Sequence, residues 1–251
     1  MSSLAISSII FVCVFGGALL GLALRTVLPE HHLSADTKDA VKMGVGLVGT
    51  MAALVLGLLV GSAKSSYDQQ RNEMMDLSSK IVLLDRVLAH YGPETKEDRD
   101  LLRNVATRIL DQTWSKDSTS HSRLASPPTG GDVLYDKLLA LSPRDEIQRS
   151  LKTQALTIAM AIGQTRLLMY EQTVEPVSVP LLIVLILWLT TIFISFGLFA
   201  PANFTVAASF FASALAVCSA ILLILEMYSP YAGLLHISSN TLRAAVAQLG
   251  Q

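Results

Sequence analysis

Residues 43–68 read MGVGLVGTMAALVLGLLVGSAKSSYD, and this stretch decides the fold class. The run from Met43 to Ala63 carries no charge. At a rise of about 1.5 Å per residue, it is long enough to cross a hydrocarbon core of about 30 Å. Lys64 follows it directly, and no helix-breaking residue separates the run from the polar sequence beyond. The stretch therefore predicts a membrane-spanning helix that continues into water.

Three further spans are predicted on either side of this helix. The stretch Leu4–Leu24 is uncharged and has no basic segment before it, so it reads as a retained span rather than a signal peptide. The region 176–225 is also uncharged and is about twice the length of one span. Gly197, Pro201 and Asn203 cluster at its midpoint, where a turn is expected. Residues 1–64 and 176–228 are thus predicted to form two transmembrane hairpins.

Composition supports a membrane protein and argues against nucleic-acid binding. Hydrophobic residues make up 51% of the chain while aromatic residues make up 6%, so the apolar excess is aliphatic. There are 19 Lys and Arg against 20 Asp and Glu, so no basic excess points to a nucleic-acid partner. Cys13 and Cys218 both fall in apolar runs, where a thiol behaves as a small hydrophobic group.

Residues 65–175 are predicted to be a soluble helical insert between the hairpins. The second span continues into it with apolar residues at alternating three- and four-residue spacing, which forms a seam on one helix face. These residues are Met74, Leu77, Ile81, Leu84, Leu88 and Tyr91. Gly92 and Pro93 then end the helix, because glycine suits the position after a helix and proline cannot continue it.

The rest of the insert contains two further predicted helices. The first covers 94–114 and presents Leu102, Val105 and Ile109 on one face. Residues 115–132 are rich in Ser, Thr, Pro and Gly and are predicted to be a mobile loop. The last helix is expected to begin at Ser142 as N-cap with Pro143 at its first position, and to run toward Thr173. Residues 229–251 form a C-terminal tail in this interpretation.

Small residues recur at intervals of four along the spans. The stripe of the second span consists of Gly49, Ala53, Gly57 and Gly61. The fourth span has an alanine stripe, Ala208, Ala212, Ala216 and Ala220, and the first span has the glycine pair Gly17 and Gly21. Such stripes let helices approach closely where lipid provides no hydrophobic driving force. Two interpretations remain open, because each stripe could compact a single chain or join copies of it.

Charged residues near the membrane lie at the span ends. Arg25, Lys64 and Glu226 can serve as interface anchors whose charged groups reach the headgroups. The alternative for Lys64 is a ring of positive charge at the mouth of an oligomer, with Asp68 four residues on as a competing partner. Glu226 is a candidate for a buried acid that pairs with a basic residue.

No enzyme or metal chemistry is indicated. His31 and His32 are adjacent and Asp36 is near, but neighbouring histidines do not share a helix face and no further ligand has suitable spacing. No nucleophile elbow, phosphate-binding glycine loop or zinc motif occurs. The sequence therefore predicts no metal, no cofactor and no catalytic residue.

Two segments carry a family resemblance. Residues 54–68, at the end of the second span, and residues 84–94, which read LDRVLAHYGPE, resemble the bacterial bestrophin-like family, as does the region 226–233. The resemblance extends over nearly the whole chain. Bestrophins are pentameric anion channels with four membrane helices and a cytoplasmic helical region, and their second helix lines the pore.

The resemblance implies a homo-oligomeric channel, with a pentamer favoured and small inorganic ions and membrane lipid as partners. The constriction is expected at Thr50, Leu54 and Leu58, where an apolar ring gates by dewetting. The expected location is the bacterial inner membrane, with the insert and both termini in the cytoplasm. The alternative is a membrane-anchored scaffold whose helices recruit a soluble partner. A transporter is not favoured, because no inverted repeat or broken helix is evident.

Overall fold

A computed structural model describes residues 3–29, 34–114, 131–174, 179–231 and 233–250. Eight α-helices and a short 3-10 turn occur in these ranges, and no strand does. The helices are α1 Ser3–Val27, α2 Ala35–Tyr91, α3 Lys96–Thr113, α4 Gly131–Ala140, α5 Glu146–Val174, α6 Val179–Phe199, α7 Phe204–Met227 and α8 Asn240–Gln248. The all-α prediction is confirmed.

Four helices are long and apolar enough to cross a membrane, as predicted. They are α1, α2, α6 and α7, and the most apolar window of each has a mean hydropathy between 2.3 and 2.6. Helix α2 is a single helix of 57 residues. The predicted continuation of the second span beyond Lys64 is therefore confirmed, although the helix begins at Ala35, earlier than the apolar run.

The chain divides into two compact units. The first comprises residues 1–66 and 176–229, and the second comprises residues 67–175 and 230–251. Helix α2 contributes its first part to one unit and its second part to the other. The C-terminal segment 230–251 packs within the second unit and contains helix α8, which the sequence did not predict.

In the first unit, α1 packs along α6 through glycines. A Cβ added at Gly21 would collide with the carbonyl oxygen of Ile194, and one at Gly197 would collide with that of Ala18. Gly197 therefore lies inside α6 as a contact residue, and its prediction as part of the turn was wrong. The turn consists of residues 200–203, and the Asn203 side chain caps α7 by accepting a hydrogen bond from the Val206 amide at 2.9 Å.

The core of the second unit is built on the predicted seam. Met74, Leu77, Ile81, Leu84, Leu88 and Tyr91 are all buried, which confirms that face of α2. Leu102 and Ile109 of α3 are buried against it and Val105 is half-buried, as expected. Helices α4, α5 and α8 complete the cluster with Leu134, Ala155 and Leu242.

Helix α2 ends where predicted. Gly92 has a φ of 143°, a conformation that residues with a Cβ rarely adopt, and Pro93 follows it. The hydroxyl of Thr95 is fully buried and lies 2.6 Å from the Leu88 carbonyl oxygen, one of the last carbonyls of the helix. The turn between α2 and α3 is thereby fixed by side-chain and backbone geometry together.

The predicted start of the last helix was wrong. Helix α5 begins at Glu146, not at Pro143, because the Asp145 carboxylate accepts a hydrogen bond from the Gln148 amide at 2.7 Å and acts as its cap. The predicted loop 115–132 is only partly testable, since 115–130 lie outside the described residues. Its last two residues, Gly131 and Asp132, begin helix α4.

Candidate functional site

The membrane part of α2 is packed on one face only. Ala52, Leu59 and Ala63 are buried in the core of the first unit, with Val48 and Val55 half-buried beside them. These positions recur at three, four and seven residues and so share one side of the helix. Most residues on the remaining sides of this apolar segment are exposed within the described part of the chain.

The opposite side of α2, which we call the outward face, consists of Thr50, Leu54, Gly57, Gly61 and Lys64. All five are exposed, and their spacing of three and four residues aligns them along the helix. Leu58 borders this face. Leu54 is 75% exposed and Leu58 is 65% exposed, so both predicted constriction leucines are uncovered in the single chain. The Thr50 hydroxyl donates a hydrogen bond within its own helix, to the Leu47 carbonyl oxygen at 2.7 Å.

The glycine stripe of α2 is open within the described part of the chain. A Cβ added at Gly49, Gly57 or Gly61 would meet no heavy atom within 4 Å, and Ala53 is exposed. Gly17 and Gly21 of α1, by contrast, lie directly against α6. The two stripes have the same spacing but different surroundings: the α1 stripe packs against α6, whereas the α2 stripe is open within the described part of the chain.

The alanine stripe of α7 is mostly exposed, like the glycine stripe of α2. Ala208, Ala212 and Ala216 are exposed, while Ala220 is half-buried. The packed side of α7 instead carries Ala214, Cys218 and Ile221. Small residues at intervals of four thus do not by themselves reveal which face of a helix is buried in the chain.

The two charged candidates lie at span ends. Lys64 follows the apolar segment of α2 and is exposed. Glu226 lies at the end of α7 and is 5% exposed. The next turn is held by a hydrogen bond from the Ser229 amide to the Glu226 carbonyl oxygen at 3.0 Å. Nearby, the Tyr228 and Ser62 hydroxyls lie 3.2 Å apart and tie the end of α7 to α2.

The histidine pair is not described by the structure, since His31 and His32 fall outside the described residues. Within the ranges that are described, no three His, Cys, Asp or Glu side chains form a group that could hold a metal ion.

The motif at 84–94 contains an aspartate, Asp85, that links three segments of the second unit. The buried Asp85 carboxylate accepts two hydrogen bonds from the Arg99 guanidinium, at 2.8 and 2.9 Å, and one from the Gly250 amide at 3.2 Å. Burial raises the pKa of the Asp85 carboxyl, but these hydrogen bonds and the positive charges of Arg99 and Arg103 together lower it by more, so its pKa lies below the ordinary value. The sequence analysis quoted Asp85 within the motif but identified neither of its partners.

A second contact in this unit involves the region 226–233. Tyr231 stacks edge-on against Trp114, with ring centroids 5.8 Å apart, and the Trp114 indole donates to the Ile237 carbonyl oxygen at 2.9 Å. Burial and the nearby Glu73 carboxylate raise the pKa of the Tyr231 hydroxyl. The aromatic residue of this segment thus anchors the C-terminal segment to α3.

Comparison with known proteins agrees with these features. Residues 12–242 match the model of the bestrophin-like domain. The fold is similar to the crystal structure of a variant of a bacterial bestrophin homolog from Klebsiella pneumoniae, with a TM-score of 0.58 and 14% sequence identity. The superposition covers 94% of this chain and 97% of that one. A comparison with curated proteins gives no match. Since the domain match spans nearly the whole chain and four helices are able to cross a bilayer, this protein belongs to the bestrophin-like family of membrane proteins.

Proposed function

We propose that this protein is a homo-oligomeric, anion-selective ion channel of the bacterial inner membrane, with a pore lined by the outward face of α2. The observation that carries the proposal is the incomplete packing of this helix. In the apolar window of α2, 11% of the residues are buried within the chain, against 28–33% in the other three spans. A helix with one packed side and an open glycine stripe is suited to contact further copies.

The residues of the outward face are better suited to face the central axis of an oligomer than to face lipid. Gly57, Gly61 and Thr50 offer lipid little apolar surface, whereas small residues let neighbouring backbones approach closely. In a ring of copies, with a pentamer favoured, Leu54 and Leu58 would form an apolar constriction that gates by dewetting. Lys64 would place one positive charge per subunit at the cytoplasmic mouth.

The Gly57→Leu variant tests assembly. A leucine here adds bulk where a Cβ meets no atom of the described chain, so a single chain should tolerate it while close contact between copies should not. We expect the variant to lose the wild-type oligomer mass in lipid nanodiscs. The matched control is Gly16→Leu, on an equally open site of α1. An unchanged mass for Gly57→Leu would remove this stripe from the interface.

The Lys64→Glu variant tests ion selectivity. A ring of positive charge concentrates anions at an opening, and salt weakens it as the Debye length falls from about 10 Å at 0.1 M to about 3 Å at 1 M. In liposomes, we expect Lys64→Glu to reduce chloride flux and shift selectivity toward cations, more strongly at low salt. Arg108→Glu makes the same charge change on the exposed side of α3 and should have no such effect.

One observation supports the alternative function, a membrane-anchored scaffold. Apolar side chains of the second unit are exposed, among them Leu83 at 46%, Leu139 at 48% and Ile147 at 72%. Such surface could recruit a soluble partner. Purified wild-type protein that passes no ion at any voltage or membrane tension would reject the channel and favour the scaffold.

A further inference from the structure

The second unit contains a cavity of about 300 Å³ between α2, α3, α4 and α5. Its walls are mainly aliphatic and include Ile81, Leu84, Leu102, Val105, Leu134 and Ile162. A volume of this size is at the lower end of the range for small-molecule sites in proteins. The cavity is lined by residues of the second unit, whereas the outward face of α2 belongs to the first.

One strongly charged group, Arg166 of α5, lies in this apolar wall. It follows Ala159, Ile162 and Gly163 at seven, four and three residues, so these four share one face of the helix. Arg166 is half-buried, and burial lowers the pKa of its guanidinium, although arginine keeps its charge in proteins. Among the described residues, no carboxylate forms an ion pair with it.

Among the described residues, Arg166 lacks the carboxylate partner that Lys80 and Arg99 have in the same unit. Lys80 lies 2.6 Å from the Asp76 carboxylate and 3.1 Å from the Thr165 hydroxyl. Arg99 is held by both oxygens of Asp85. A sheltered charge without a counter-charge is costly, so Arg166 is poised to gain from an anion that enters the cavity. Asp132, the acidic residue of the lining, is exposed and has no ion pair with it within the described chain.

Gly163 is an exposed residue of the cavity lining, three residues before Arg166 on the same helix. It lies in the interior of a 29-residue helix, where glycine costs about 1 kcal/mol relative to alanine. A Cβ at this position would meet no heavy atom within 4 Å, so no contact in the described chain requires glycine. Glycine thus leaves this part of the cavity lining without a side chain, on the helix face that carries the guanidinium.

We propose that this cavity binds an amphipathic monoanion, a medium-chain carboxylate, with its tail on the aliphatic wall and its carboxylate on Arg166. The planar guanidinium matches a carboxylate through two parallel hydrogen bonds. Inorganic phosphate would leave most of its oxygens without donors in such an apolar site. A small inorganic anion would leave the aliphatic wall unused.

Octanoate is the probe, titrated calorimetrically into the full-length protein in nanodiscs. We expect a saturable component in the wild type, at least tenfold weaker in Arg166→Gln and also weaker in Gly163→Leu, which adds bulk to the cavity lining. Gly163→Ala should keep the fold and weaken binding less than leucine does. Octan-1-ol, which lacks the charge, should bind more weakly than octanoate and should not distinguish wild type from Arg166→Gln. Arg108→Gln, on an exposed site of α3, should match the wild type.

Partitioning of octanoate into lipid is common to all variants and is not saturable. If wild type and Gly163→Leu give the same heats at every concentration, the cavity holds no such ligand and the proposal is wrong. Saturable binding that survives both Arg166→Gln and Gly163→Leu would also overturn it, because the site would then lie elsewhere. Neither outcome bears on ion conduction, which depends on α2.

Discussion

Asp85 joins segments that are distant in the sequence, since its carboxylate binds Arg99 of α3 and the amide of Gly250 near the C-terminus. We expect Asp85→Asn to lower the stability of the second unit by about 2–3 kcal/mol, because hydrogen bonds to charged groups contribute about 1.5–3 kcal/mol and Arg99 would lose its counter-charge. Pulse proteolysis of the purified protein measures this. Asp111→Asn, an exposed site on α3, is the matched control and should change stability little.

The same carboxylate sets a pH dependence. Its pKa in the folded protein lies below the ordinary value of 3.8, so the unfolded chain binds the proton more readily. The stabilisation is therefore complete above the ordinary pKa and is lost as the pH falls through the lower folded value. Between pH 5 and 3, wild type should lose more stability than Asp85→Asn. Parallel pH profiles for the two proteins would contradict this assignment.

Among the elements, α1 and α6 of the first unit approach each other closely at glycine residues. Gly21→Ala should destabilise it by several kcal/mol, since the added methyl meets the Ile194 backbone, which cannot move aside as a side chain can. Gly16→Ala is the control, because it adds the same methyl where no atom lies within 4 Å. In nanodiscs, the midpoint of thermal unfolding should be clearly lower for Gly21→Ala than for Gly16→Ala. Equal midpoints would mean that the helices do not approach this closely.

For the whole molecule, the orientation in the membrane is a prediction from the family resemblance and the even number of spans. In a variant without Cys13 and Cys218, a cysteine replacing the exposed Ser79 should resist an impermeant thiol reagent in intact cells and react after permeabilisation. A cysteine replacing the exposed Asp36, in the first turn of α2 before its apolar run, should react in intact cells. The reverse pattern would place the insert outside the cytoplasm.

The sequence alone determined the features that depend on local pattern. Uncharged length predicted four spans, and three-four spacing predicted the buried seam from Met74 to Tyr91. Gly92 and Pro93 predicted the end of α2, because backbone conformation there depends on the residue itself. The motif at 84–94 also gave the family. Each of these signals is read within a few helical turns of chain.

The tertiary structure decided what depends on contacts between distant residues. It placed Gly197 in the α1–α6 contact instead of the turn, brought Gly250 to Asp85, and chose Asp145 over Ser142 as a cap. It also showed that Gly49, Gly57 and Gly61 of α2 meet no atom of the described chain whereas Gly17 and Gly21 of α1 pack against α6, although both stripes have the same spacing. Spacing defines a helix face, but the rest of the chain decides what packs against that face. The sequence could therefore name the glycine stripe of α2 without showing that it is exposed.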